Sequence, residues 1–175
     1  MAGDIKLQYV ASVALTVTNL HSLASSQSWE TGWTSVSINN TANEYADLLL
    51  AGTFTTHASN RQAGSINIYC YGALNDTPTW PDLFSAGTEG TEGTCTFHDT
   101  EQRDSGVRFV ASITVDAGAS EVYTFQPVSI ASLFGGVLPP YLAFVVSQNA
   151  TTTTTAGLAA AGSALYYTPV NYQYT

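Results

Sequence analysis

The sequence predicts an all-β protein: an antiparallel β-sandwich, jelly-roll-like, with one short helix and a long acidic loop. Three observations predict it. Thr, Val, Ile, Tyr and Phe dominate the apolar segments, and such side chains suit a pleated, half-buried surface. The segments alternate with period two, as in Ser65–Tyr71, where Ile66, Ile68 and Cys70 share one face and Asn67, Tyr69 and Tyr71 the other. Gly, Asn, Asp and Pro punctuate them at Asn39-Asn40, Gly64, Gly72, Asn75-Asp76 and Asp116-Ala117-Gly118. Seven or eight short strands so spaced point to a sandwich or barrel rather than βαβ units.

Taken in order, residues 1–28 alternate weakly and read as an N-terminal arm or a first strand. Thr34–Ile38 sets Val36 and Ile38 on one side. Ala46–Thr56 and Ser65–Tyr71 are the next strands. Residues 77–106 are a Gly- and acid-rich excursion, too long for an ordinary hairpin loop. In Val107–Val115, alternation puts Val107, Phe109, Ala111, Ile113 and Val115 together. Val122–Val128 follows. Ser129–Gly135 reads as one helical turn, with a capping serine, apolar residues one turn apart and a terminating glycine. Tyr141–Ser147 and Ala164–Thr168 complete the strands, and Thr151–Thr155 between them reads as an exposed loop or edge. At roughly 150 residues per domain, 175 residues make a single domain, here 29–175, with its arm. That length buries a core without staples.

Charge is scarce and unevenly placed. Charged residues are 10% of the chain, against about 25% in ordinary soluble domains. Four Lys+Arg against thirteen Asp+Glu give a net charge of −9. Four cations neutralise few phosphates, which disfavours nucleic acid as a partner. Ten Tyr, seven Phe and three Trp supply too much burial drive for a disordered acidic tail. From Val122 to Thr175 there is no Asp, Glu, Lys, Arg or His, whereas charges crowd between Asp82 and Glu121. Central strands explain such a tract. So does a surface that neighbouring subunits cover, since interface cores lose charge and gain aromatics.

The first twenty residues do not read as a signal peptide, because Asp4 cancels Lys6 and Ser12, Thr16 and Thr18 break the apolar stretch. The best membrane window, Ile130–Val146, holds Gly135-Gly136 and Pro139-Pro140, so no membrane partner is expected. Cys70 and Cys95 form no disulfide framework, and Cys70, inside a strand pattern, reads as a buried free thiol. A soluble protein made in a cytoplasm is the expectation.

Chemistry finds little support. His21, His57 and His98 are the only histidines, and no serine sits in a G-x-S-x-G elbow. Cys95 and His98 lie three apart without a second ligand pair. Glu89, Glu92, Asp99, Glu101 and Asp104 are oxygen donors for calcium in principle, but their spacing fits no EF-hand and Arg103 interrupts them. Paired carboxylates for glycoside hydrolysis have no specific signature here. Trp80, Tyr166-Tyr167 and Tyr172 suit either stacking on sugars or packing. No enzyme, cofactor or metal is expected.

The stretches Trp33–Thr41, Tyr45–Gly52, Phe134–Pro139 and Val145–Asn149 resemble small virion structural proteins of tailed bacteriophages. The resemblance spans roughly residues 29–170. It implies a head decoration (cement) protein on the capsid exterior, β-rich and often trimeric, made in the bacterial host. Its partners would be the major capsid protein and sister subunits. The contact residues expected for that role are Trp33, Phe134, Leu138, Tyr141, Tyr166, Tyr167 and Tyr172. A lectin-like, host-binding module of the virion is the alternative. The acidic excursion is expected to face water, and the C-terminal strands the shell or sister subunits.

Overall fold

The computed structural model describes residues 4–59, 62–74, 77–150 and 157–175. The elements are β1 (Ile5–Tyr9), β2 (Val13–Ala14), β3 (Thr31–Thr34), β4 (Ile38–Asn39), β5 (Asp47–Thr55), β6 (Gly64–Ala73), β7 (Gly93–Thr96), α1 (Thr100–Gly106), β8 (Arg108–Val115), β9 (Val122–Ser129), a 3₁₀ turn (Ala131–Phe134), β10 (Tyr141–Gln148) and β11 (Ala164–Tyr174). They form two antiparallel sheets. The first runs β1-β11-β5-β9, with β2 also on β11; the second runs β7-β3-β10-β6-β8, with β4 also on β10. The predicted all-β sandwich is the observed architecture.

Among the described residues no ladder joins strands that are consecutive in the chain. The path from β8 to β11 changes sheet at every connection, so both sheets close only when distant segments meet. Leu48, Leu50 and Phe54 of β5, Phe125 of β9 and Leu165 of β11 pack from the first sheet. Trp33, Ile66, Ile68, Cys70, Leu142, Phe144 and Val146 meet them from the second. This is the main core.

A second core lies on the other side of the second sheet. Tyr69, Tyr71, Ala143 and Val145 point there and are covered by Leu83, Phe84, Cys95, Phe97 and Val107. The acidic excursion is therefore a folded cap: it supplies β7 to the sheet edge and α1 after it. Asp99 caps α1 by accepting the Gln102 N–H at 2.7 Å. With the cap in place β6 is buried on both faces, as its alternation of aliphatic and tyrosine residues requires. β10, between β3 and β6, is buried at seven of its eight positions.

Several elements depart from expectation. The stretch Thr34–Ile38 is not one strand; pairing to β10 stops at Thr34 and resumes at Ile38. In between, the Ser35 side chain accepts the Phe144 N–H at 2.9 Å. Residues 107–115 do not keep one face. The register of β6 on β8 shifts between Ile68 and Tyr69, which leaves Val110 as a bulge. Phe109 is thereby turned outward, 53% exposed and edge-on to Tyr69 at 5.8 Å. The helical turn is 3₁₀, begins after Ile130, and ends at Gly135 with φ 76°. The N-terminal arm is a strand pair, β1 and β2, on β11. Thr151–Thr155 lies outside the described residues.

Candidate interaction face

β1 and the end of β11 together build an exposed apolar feature. β1 pairs with β11 from Ile5–Tyr174 to Tyr9–Val170. β5 pairs with β11 only as far as Val170, opposite Asp47. Beyond that point β1 and β11 form a two-stranded ribbon that overhangs the sandwich. Directly opposed residues share a face, so Ile5, Leu7, Tyr9, Tyr172 and Tyr174 lie on one side. Lys6, Gln8, Asn171 and Gln173 lie on the other.

The apolar side is bare. Ile5 is 72% exposed, Leu7 58%, Tyr9 64%, Tyr172 70% and Tyr174 72%. It continues onto the outer face of the first sheet through a groove of about 340 Å³ lined by Leu7, Tyr9, Leu49, Val170 and Tyr172. One carboxylate, Asp47, stands at the groove, and its Oδ1 accepts the N–H groups of Leu48 (2.7 Å) and Ala131 (2.8 Å). That carboxylate ties the 3₁₀ turn to β5.

Backbone polarity gives the ribbon an open edge. Asp4 and Thr175 exchange both main-chain hydrogen bonds (3.1 and 3.0 Å), and the Val10 N–H donates to Pro169 at 2.9 Å. By antiparallel alternation Asp4, Lys6, Gln8 and Val10 turn their backbone groups toward β11, and Ile5, Leu7 and Tyr9 turn theirs away. No described strand pairs with that side. Pro169, with no N–H to return to Val10, marks the break between β1 and β2.

The expected contact residues scatter. Trp33 (0% exposed) and Leu138 (7%) are buried inside the protomer and offer no surface to a partner. Phe134 and Tyr167 pack against the main core. Tyr141 stands edge-on to Trp80, on the cap side, with ring centroids 6.5 Å apart. Tyr166 and Tyr172 are exposed and lie on the outer face of the first sheet. Ile5, Leu7, Tyr9 and Tyr174 were not among the expected residues; their signal was the strict alternation of Ile5-Lys6-Leu7-Gln8-Tyr9 and Tyr172-Gln173-Tyr174.

Carboxylates of the cap are engaged within the protomer. Glu89 accepts the Leu83 and Phe84 N–H groups (2.9 and 2.7 Å), Glu92 takes Asn19 and Trp33, and Asp104 pairs with Arg103 at 2.6 Å. Among the described residues no group of three or more His, Cys, Asp or Glu side chains is placed to hold a metal ion. His98 meets Asp82 at 3.1 Å, and His21 meets the Ser163 carbonyl at 3.1 Å. Trp80 is half-buried, edge-on to Tyr71 at 5.3 Å, and serves as a lid over the second core. Cys70 faces the main core and Cys95 the second one, on opposite sides of the sheet; both are free thiols.

Among the described residues no helix is long and apolar enough to cross a membrane. Comparison with protein-family models, with curated proteins and with solved structures finds no match for this chain.

Proposed function

We propose that this chain is a non-enzymatic structural protein that works by contact area, as a head decoration protein of the kind the resemblance implies. One observation carries the reading: the two outer faces of the sandwich differ in character. The second sheet is covered by a cap bearing Asp82, Glu89, Glu92, Asp99, Glu101 and Asp104. The first sheet presents an apolar ribbon and groove with a single carboxylate. A protein that cements a shell needs an uncharged surface to bury. It also needs a like-charged outer surface that keeps particles apart. In this reading the first sheet meets the major capsid protein and the acidic cap meets water, with no cofactor, nucleic acid or membrane involved.

Copy number in purified particles tests the role. Hundreds of copies per particle are expected, and a handful overturns the head assignment. Tyr172→Asp is expected to release the protein from particles, while Glu101→Gln on α1 leaves it bound. Equal occupancy by both variants overturns the assigned polarity.

A further inference from the structure

We propose that the hollow between α1 and β8 is a carbohydrate site, in which one ring of a neutral glycan stacks on Phe109. The inference goes beyond the decoration reading and does not depend on it. The site lies on the capped side of the second sheet, away from the apolar ribbon.

A bulge aims the aromatic ring. In strict alternation Phe109 would share the main-core face with Ala111 and Ile113, where a phenylalanine gains burial. The register shift at Val110 turns it to the other face, opposite Tyr69, on the edge strand of the second sheet. Bulges re-aim side chains in this way beside functional sites. The ring meets Tyr69 only edge-on, with planes 71° apart, so its face stays open to water. The hollow beside it measures about 300 Å³ and is walled by Tyr69, Arg103, Asp104 and Val107. Small-molecule sites begin at about that size.

Charge selects the class of ligand. Arg103 meets Asp104 Oδ1 through Nε (2.7 Å) and Nη2 (2.6 Å), and donates through Nη1 to the Ser28 carbonyl. Its side chain is 12% exposed and spent on these partners, which leaves little to an anion. Asp104 is 66% exposed and neutralised by Arg103, so its Oδ2 suits a hydroxyl rather than a cation. Arg108, the next cation, opposes Cys70 and belongs to the other face of the ladder. The net charge of −9 disfavours acidic glycans further.

Beyond the ring, the outer face of β6 and β8 is uncharged and rich in hydroxyls. Asn67 opposes Ser112, and Ser65 opposes Thr114. Ser112 Oγ donates to Asn67 Oδ1 at 2.7 Å, and Asn67 Nδ2 donates to the Tyr69 hydroxyl at 3.2 Å. That chain fixes the amide and leaves its second N–H and the Tyr69 O–H as donors. A sugar ring has an apolar C–H face and a rim of hydroxyls that both give and accept. An open aromatic face, a carboxylate oxygen and fixed polar donors complement both parts.

A glycan array carrying neutral and uronic-acid oligosaccharides tests the site with the purified full chain. Wild type is expected to bind neutral glycans and not acidic ones. Phe109→Ala is expected to weaken that binding roughly tenfold, and Phe109→Trp to retain it. Asp104→Ala bares the Arg103 guanidinium and is expected to trade neutral glycans for acidic ones. Tyr166→Ala, which removes an exposed ring on the first sheet, is expected to bind as wild type does. A wild type that binds no neutral glycan overturns the proposal. So does wild-type binding by Phe109→Ala or Asp104→Ala, or loss of binding in Tyr166→Ala. Circular dichroism and urea midpoints matching wild type confirm that the variants, all at exposed positions, are folded.

Discussion

The indole Nε1 of Trp33 donates to Glu92 Oε1 at 2.8 Å, which fastens the main core to the first residue before β7. Glu92 also accepts the backbone N–H of Asn19 (2.8 Å) and its side-chain amide (2.6 Å). Three segments far apart in sequence thus converge on one carboxylate. Glu92→Ala removes the partner of a buried indole N–H. We expect a loss of about 1–3 kcal/mol, read as a lower urea midpoint at unchanged slope. An unchanged midpoint counts against the tie.

The same carboxylate gives acid sensitivity. Burial pushes the Glu92 carboxyl up, but the hydrogen bonds from Asn19 and Trp33 outweigh it and hold it below the ordinary 4.5. A depressed carboxyl stabilises the fold above its unfolded value and loses that contribution as pH falls through the folded one. Thermal midpoints are expected to drop below about pH 4.5, and by less in Glu92→Gln, which does not titrate.

Alkali acts on the two cores. Burial pushes the thiols of Cys70 and Cys95 from 9.0 up to about 12. Burial likewise pushes Tyr71 from 10.0 up to about 12. Groups with raised values stabilise the fold below their unfolded values and withdraw that support as pH rises toward the folded ones. Stability is expected to fall between about pH 9 and 12. Neither thiol is expected to react with a thiol reagent at neutral pH until denaturant is added, after which two react per chain. Prompt reaction of either thiol in the native protein contradicts its burial.

Tyr71 locks the cap to the sheet. Its hydroxyl lies 2.9 Å from Thr34 Oγ1 and accepts the Gly90 N–H at 2.8 Å. Tyr71→Phe strands both partners and is expected to cost about 1–3 kcal/mol. Gly90 has φ 72°, and a Cβ there meets Trp80 Cζ2 at 2.6 Å. Gly90→Ala is therefore expected to displace the Trp80 ring, read as a shift in tryptophan emission. An emission spectrum identical to wild type rejects that packing.

Gly32 permits β3 to lie flat on β10. A Cβ at this position sits 2.4 Å from the Val146 carbonyl oxygen, a backbone atom between two ladders that cannot give way. Gly32→Ala is expected to cost at least about 1–3 kcal/mol, as overpacked interiors do, measured by chemical denaturation. Wild-type stability in this variant excludes the close approach.

Local alternation determined a good deal by itself. The period-two pattern of Ser65–Tyr71 assigned Ile66, Ile68 and Cys70 to one side and Tyr69 and Tyr71 to the other, and the main core and the cap occupy those sides. The charge-free tract after Glu121 was legible too, and the structure divides it between burial and exposure. β10 spends it on a buried central strand, and β11 spends it on the exposed tyrosines 166, 172 and 174.

Tertiary structure decided the rest, because pattern records which face of a strand is apolar but not what lies against it. Leu83, Phe84, Cys95 and Phe97 have no regular spacing and become a core only against the tyrosines of β6, which is why residues 77–106 read as a loop. The Val110 bulge, which turns Phe109 outward, arises from pairing with β6 rather than from its own sequence. Trp33 resembles an interface aromatic until Glu92, fifty-nine residues away, satisfies its indole inside the protomer. The ribbon is the clearest case. Ile5-Lys6-Leu7-Gln8-Tyr9 announces an amphipathic strand, but only the end of the β5 register at Val170 leaves that apolar side without a layer above it. Periodicity is a property of neighbours in the chain, whereas cover is a property of neighbours in space.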